Sequence, residues 1–432
     1  MVRLSIGNGN SAMSSAIDPP LTVSPSQRNL ARGLNRLVSS NLLAQSAEQL
    51  GLAAAPIVAV FAFGAGPGET GLLQTAQTLP FLLLAIPVGI LADRTSRREL
   101  MVFAEALRAF SLLAILVLAL AGLLTLPLLA LLGFIGASGT VAYSIAAPSL
   151  VPAMVDPEGL AGANRRLELA RSFAFAAGPA LGGALVGSIG AAPAFGIATA
   201  LSGYAVTLLL GIPEPARPTL PPRHWGHDLT EGTRFLFRNR LLRPVLMTAV
   251  VFNISFVMMQ AIYVPYAVEK LALSSASVGL TLAAYGVGMV LGALIASRLA
   301  KFIPFGAMIA IGPIAGVASA LAMVLTVWFP SVALAGLSFF LIGAGPVLWT
   351  ISTTTLRQTV TPGALLGRVS AVTLMATWGT RPLGAAIGAV IGASYGAETC
   401  LTIAACGFIV QAAIILTSPT VRLERQPEAN AA

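Results

Sequence analysis

Four ionisable side chains interrupt stretches of sequence that are otherwise apolar: Glu48, Glu105, Arg108 and Arg381. An ionised group at the centre of a membrane-spanning helix costs about 2.5–3.5 kcal/mol on insertion scales, so a residue of this kind is a functional candidate by default. All four are therefore candidates for proton coupling, and the spacing to their neighbours suggests what each could do.

Glu48 follows Asn41 and Gln45 at spacings of seven and three residues, which place all three side chains on one face of an α-helix. A polar stripe with a single carboxylate on an apolar helix suits a water-filled cavity. A carboxylic acid there could load and release a proton as the cavity opens to alternate sides. The alternative is that Glu48 lies near the cytoplasmic mouth and only pairs with an arginine.

Glu105 and Arg108 are three residues apart and can pair on one helix face, where a neutral pair supporting the preceding loop is the simpler interpretation. Arg381 lies 13 residues beyond Arg368, which is about 20 Å along a helix and well inside the hydrocarbon. Pro382 favours a kink beside it. Arg381 could bind an anionic substrate, act as counter-ion to Glu48, or hold a carbonyl freed by the kink.

Uncharged polar and aromatic residues inside the apolar stretches supply candidates for the walls of a cavity. Singly, each is more typical of helix packing, but together they indicate a sizeable, mostly apolar cavity for an amphipathic organic solute rather than for a sugar or an inorganic ion. They are Asn41, Gln45, Gln74, Gln77, Tyr143, Asn253, Gln260, Tyr263, Tyr285, Trp349, Thr377 and Trp378.

The composition indicates what must position these residues. Of 432 residues, 56% are hydrophobic and 9% are charged, and the mean hydropathy is +0.86. Soluble domains carry about 25% charged residues, so most of this chain faces lipid or other apolar helices. A net charge of +9 could suggest nucleic-acid binding, but the positions of the charges indicate membrane topology instead.

A helix needs about 20 mostly apolar residues to cross a bilayer. Such runs predict an all-α membrane protein with two six-helix bundles, 35–212 and 243–418, between a disordered tail at 1–34 and a tail at 419–432. The predicted spans are 38–63, 71–92, 100–122, 126–149, 168–189, 192–212, 243–267, 276–299, 306–328, 331–354, 368–393 and 396–417.

The interval 213–242 is the only long gap between spans and starts with a proline-rich stretch. Its second part predicts an amphipathic helix on the membrane surface, with Phe235, Leu236 and Leu242 toward lipid. Arginines 234, 238 and 240 would then point toward the headgroups.

Arginine and lysine fall in alternate connections. The tails, the central linker and the even-numbered loops hold nearly all of them, whereas the opposite loops hold only Lys270. Because positive residues stay inside, both termini and the linker are predicted to be cytoplasmic.

Matching landmarks recur in the two halves. Gly183 and Gly187 recur 205 positions later as Gly388 and Gly392, and the loop segment "DPEGLAG" recurs at the same offset as "TPGALLG". A shared offset favours a duplicated bundle, as in many transporters in which two bundles rock about a central site.

Two motifs carry a resemblance to a known family. In "GILADRTSRR", the second loop has Gly89, Asp93, Arg94, Arg97 and Arg98, and in "GPALGGALVG" the fifth span has Gly178, Pro179, Gly182, Gly183 and Gly187. Over about residues 35–420 the chain resembles the major facilitator superfamily, and its loops are most similar to the enterobactin and macrolide exporter branch. The resemblance implies a gate at the first motif and proton-coupled export at the second.

The sequence shows little sign of enzymatic chemistry. The two histidines, His224 and His227, lie in the central linker, and the chain has no glycine-rich phosphate loop ending in Lys-Ser/Thr. We expect no enzyme activity, no metal and no cofactor.

The sequence therefore predicts a secondary active transporter that exports an amphipathic drug, siderophore or secondary metabolite by alternating access, in exchange for protons. We expect a monomer in the bacterial inner membrane, with the lipid bilayer, protons and a small-molecule substrate as its partners. One alternative is a flippase for lysophospholipids or similar solutes, which would need an opening toward lipid. Another is a membrane scaffold or sensor that transports nothing.

The gate motif generates a first prediction. Arginines in "GILADRTSRR" are explained by topology alone, but Asp93 is not. In the resembled family this acid helps to latch the two halves together in the outward-facing state. We expect it to dock here near Gly367–Ser370, at the start of the eleventh span, where the helix dipole favours an anion. Replacing Asp93 with Asn should slow transport and leave membrane insertion intact. Normal transport rates in the variant would refute the latch.

Overall fold

The computed structural model describes residues 25–151, 154–155, 160–213 and 225–427, and within them the chain is built from α-helices joined by short connections. The helices are α1 Pro25–Phe63, α2 Pro67–Arg94, α3 Arg97–Leu120, α4 Leu126–Leu150, α5 Leu160–Ile189, α6 Ala191–Leu210, α7 Trp225–Arg238, α8 Leu242–Glu269, α9 Ser275–Leu299, α10 Phe305–Leu325, α11 Val332–Val360, α12 Gly363–Gly379 and α13 Arg381–Leu416. A short 3-10 helix, Pro419–Arg422, follows. Residues 1–24, most of the proline-rich linker and the side chain of Asp93 lie outside the described part.

Eleven segments of the described chain are long and apolar enough to cross a membrane, and the first ten coincide with the first ten predicted spans. The eleventh, Leu365–Leu416, is 52 residues long and contains both remaining predictions. It is interrupted at Thr380, between α12 and α13, and again at Gly396, where φ is 82°. Only glycine adopts this left-handed conformation readily, which explains a glycine at the predicted division.

Several helices continue past the predicted spans on the arginine-rich side. Helix α5 begins at Leu160 instead of residue 168, and α11 ends at Val360 instead of residue 354. Hydropathy marks only the apolar part of a helix, whereas the backbone hydrogen bonds continue into the polar region, so the spans are shorter than the helices.

The amphipathic linker helix exists as α7, but the side chains predicted to face lipid pack against protein instead. Leu236 and Leu242 are 1% and 2% exposed, and Phe235 packs against the same cluster, which includes Val369 of α12. The ion pair between Glu231 and Arg368 fastens α7 to the start of α12. Protein therefore covers Phe235 and Leu236, whereas Phe237 and the arginines at 234, 238 and 240 are exposed.

The helices pack as two groups, α1–α6 and α8–α13, which meet along two lines of contact, α5 against α9 and α2 against α13. A Cβ at Gly183 would collide with the backbone of Ser275 and Gly279, and a Cβ at Gly71 would collide with Ala389. Both contacts lie near the ends of the helices that carry the arginine-poor loops. Backbones touch directly there, so the groups are closed against each other on that side.

This contact predicts an effect of a single methyl group. Gly183→Ala should destabilise the fold by about 1–3 kcal/mol, because the added atom has no space between α5 and α9. Gly203→Ala is the matched control: this glycine lies inside α6 with nothing within 4 Å of a built Cβ, and alanine is the better helix former. Thermal unfolding in detergent should show a lower midpoint for the first variant only. Equal midpoints would contradict the close packing.

Candidate functional site

A cavity of ≈ 570 Å³ lies between the two groups of helices. Its lining is mostly apolar, with polar and aromatic side chains from both groups. Of the residues predicted from the sequence, the lining includes Asn41, Gln45, Glu48, Gln74, Gln77, Arg108, Tyr143, Gln260, Tyr285, Trp378 and Arg381. The structure thus brings together side chains from the first span to the eleventh.

Other predicted cavity residues lie in the packing around it. Tyr263 is fully buried, and its hydroxyl is 2.5 Å from Oγ1 of Thr281. Trp349 packs with the cluster that covers α7, and Thr377 donates to the carbonyl of Thr373 within its own helix at 2.6 Å. Asn253 is buried next to Arg381. None of these four is among the lining residues.

Arg108 is the centre of a buried ion cluster. Its Nη1 donates to Oε2 of Glu105 at 2.8 Å and to the carbonyl of Ala44 on α1 at 3.1 Å. Its Nη2 donates to Oγ1 of Thr140 on α4 at 2.9 Å. The pair expected to support the preceding loop therefore joins α3 to α1 and α4 in the interior.

Glu105 and Glu48 both lie close to Arg108, but they differ in exposure and in hydrogen bonding. The Glu105 side chain is 0% exposed, and its other oxygen accepts a hydrogen bond from Ser202 on α6. Glu48 is 15% exposed, lines the cavity, and holds Oε2 at 3.5 Å from Nη2 of Arg108, without a hydrogen bond to that oxygen in the described chain. Glu105 thus orients the guanidinium, and Glu48 is the carboxylate that the cavity can reach.

Arg381 lies on the other wall, at the start of α13. Its Nε donates to Oδ1 of Asn253 on α8 at 3.0 Å, and its guanidinium carbon lies 3.9 Å from the ring centre of Trp378. The ring of Phe81 on α2 packs against Trp378 at 4.9 Å between ring centres. The arginine is held by a neutral amide and an aromatic face.

The structure adds lining residues that the sequence reasoning missed. Glu168 and Arg171 form a two-bond ion pair at the edge of the cavity, with donor–acceptor distances of 2.6 and 3.0 Å. Their spacing of three residues is the same sequence signal that identified Glu105 and Arg108. Phe175 also lines the cavity, 6.0 Å from Tyr285 between ring centres.

The two sequence motifs lie in different parts of the molecule. In the loop motif, Nη1 of Arg98 donates to the carbonyl of Ile212 at 3.4 Å, which fastens the end of α6, and Arg94 is exposed. In the fifth-span motif, Pro179 lines the cavity and Gly183 contacts α9. Gly178 similarly approaches Gln49 of α1. Within the described residues, no cluster of His, Cys, Asp and Glu side chains could hold a metal ion.

Comparison with known proteins decides the family. A family model described as a transmembrane secretion effector matches residues 51–431. The chain belongs to this family of the major facilitator superfamily.

Similar proteins agree with that assignment. The enterobactin exporter EntS of Escherichia coli O1:K1 / APEC is 27% identical over 315 residues, which is 72% of each chain. The EntS of Citrobacter koseri is 26% identical over 345 residues, 78% of this chain and 80% of the exporter. A bacterial homologue of the human lysosomal transporter Spinster, solved in an inward-facing and unoccupied conformation, shares the fold: the TM-score is 0.68 at 16% identity, covering 94% of this chain and 99% of that one.

The family establishes the class of activity. The chain is a multi-pass membrane transporter and not an enzyme. This favours transport over the alternative of a scaffold or sensor. The cavity between the two groups of helices is accordingly the candidate site for the transported molecule.

The ion cluster predicts a matched set of stability effects. Arg108→Gln leaves Glu105 buried without its cation, which should destabilise the protein by about 3–5 kcal/mol. The double variant Glu105→Gln/Arg108→Gln removes both charges and should recover most of that loss in thermal unfolding. Lys270→Gln, which breaks an exposed pair with Glu398, should leave the midpoint unchanged. If Arg108→Gln were as stable as Lys270→Gln, the cluster would have no structural role.

Proposed function

We propose that the protein exports an amphipathic small organic molecule, such as a drug, siderophore or secondary metabolite, by alternating access in exchange for protons. The observation that carries the proposal is the cavity between the two groups of helices, with one carboxylate, Glu48, both open to it and tied to a buried arginine. The names of the curated relatives, which are exporters, support the outward direction.

Twelve membrane crossings fit this mechanism. The segment Leu365–Leu416 would extend about 78 Å as one straight helix, against a hydrocarbon core of about 30 Å, so we assign two crossings that reverse at Gly396. Two six-helix bundles then result, 35–212 and 243–418. With arginine retained on one side, both termini and the α7 linker are cytoplasmic, and we assign the protein to the bacterial inner membrane as a monomer.

The contacts between the groups support an inward-facing state. Gly71 against Ala389, and Gly183 against Gly279, close the arginine-poor side. Toward the opposite side, the cavity is bounded by the exposed pair of Glu168 and Arg171. In the proposed topology, that side is the cytoplasm, from which an exported molecule has to enter.

Charge balance makes Glu48 the proposed proton carrier. Arg108 stays protonated at all physiological pH values, and Glu105 uses one oxygen for Arg108 and the other for Ser202. With both acids ionised, the cluster carries one net negative charge, and a proton on Glu48 makes it neutral. Because an uncompensated charge is costly in the membrane, the protonation state of Glu48 can select which side of the cavity is open.

The proposal predicts that Glu48→Gln abolishes proton-driven transport, since glutamine cannot take up or release a proton at this position. Accumulation of candidate solutes, enterobactin first, would be measured in everted vesicles with an imposed proton gradient. Glu398→Gln is the control, because that acid is exposed and lies outside the cavity lining. Undiminished gradient-driven accumulation in Glu48→Gln would refute proton coupling through this residue.

A further inference from the structure

One cation that lines the cavity forms no ion pair with an acid of the described residues. Arg108 faces Glu105 and Glu48, and Arg171 is paired with Glu168. Arg381 lines the same cavity, yet forms no ion pair with any residue in the described ranges. A guanidinium held at membrane depth without a contacting anion is costly, so this site favours an anionic group in the cavity during the working cycle.

The neighbours of Arg381 fix its orientation and leave its charge in place. Nε is bonded to Asn253, which is 5% exposed and is itself anchored by a 2.9 Å bond from its Nδ2 to the carbonyl of Ala249. Trp378 covers one face of the guanidinium, and Phe81 supports Trp378 from α2. Both contacts come from uncharged groups, so they orient the arginine without neutralising it.

The remaining donors of Arg381 suit an acidic group. Nη1 and Nη2 make no hydrogen bond within the described chain, and neither nitrogen is sealed off in the protein interior. Two parallel N–H groups of a guanidinium match the two oxygens of a carboxylate, sulfonate or phosphate. The break between α12 and α13 does not use the Arg381 side chain as a substitute donor, because its Nε donates to a side chain of another helix.

We propose that Arg381 binds the acidic group of an organic anion, with Asn253 and Trp378 as positioning residues. The inference deepens the proposed export function and rests on it, because it names the chemical class of the solute in the same cavity. The apolar part of that solute would lie against the aromatic wall formed by Phe175, Tyr285 and Phe256, where neighbouring ring centres are 6.0 and 5.7 Å apart.

Binding to the full-length protein, without any proton gradient, tests this directly. The probes are dansylglycine, which is an anion, and dansylglycinamide, which has the same ring system and no charge. Titrated by fluorescence in lipid nanodiscs, the wild-type protein should bind the acid about tenfold more tightly than the amide, the size expected of one charge-assisted bidentate bond.

Four variants distinguish an effect of the charge of Arg381 from an effect on packing. Arg381→Gln should remove the preference for the acid and keep the affinity for the amide. Arg381→Lys and Asn253→Ala, which retain the positive charge, should reduce the preference only in part. Arg357→Gln is the matched control, because Arg357 is a half-buried arginine of α11 outside the cavity lining, and the preference should persist.

Each outcome decides between the two proposals. Equal affinities of the wild-type protein for acid and amide, no saturable binding of dansylglycine, or a preference that survives in Arg381→Gln would overturn the anion site. If the preference follows Arg381 as expected while Glu48→Gln still transports with a proton gradient, the anion site stands and proton coupling through Glu48 falls.

Discussion

The arrangement of the first group of helices depends on how acidic and polar groups balance the charge of one buried arginine. Arg108 lies inside the first group of helices between Glu105 and Glu48, and it also donates hydrogen bonds to Ala44 and Thr140. Four helices, α1, α3, α4 and α6, meet at this cluster through those bonds and through Ser202. Because a half-compensated charge is so costly in a membrane, the cluster fixes the positions of these helices and, with them, the first wall of the cavity.

Across the cavity, the second wall carries the opposite charge. The cluster around Arg108 is negative while Glu48 is ionised, whereas Arg381 is positive throughout. Ionised Glu48 and Arg381 therefore present opposite charges to the same cavity.

The sequence predicted the first ten spans and identified Glu48 and Arg381 as charges inside apolar runs, because hydropathy and isolated charges are local signals. It did not predict where α7 lies: the amphipathic pattern shows that Leu236 needs an apolar partner but not whether that partner is lipid or α12. The sequence also could not show which polar side chains form hydrogen bonds with each other. Nothing local indicates that Asn253 holds Arg381, or that Glu105 bonds Ser202, since these pairs are 128 and 97 residues apart.

The glycine and alanine contacts between the two groups also affect how the molecule can move. At Gly183 against Gly279, and at Gly71 against Ala389, no long side chain projects into the facing helix. Surfaces without interlocking side chains are smooth, so one helix can turn or slide on the other without waiting for rotamers to change. The glycine and alanine contacts that let the two groups of helices pack closely therefore also let them separate easily.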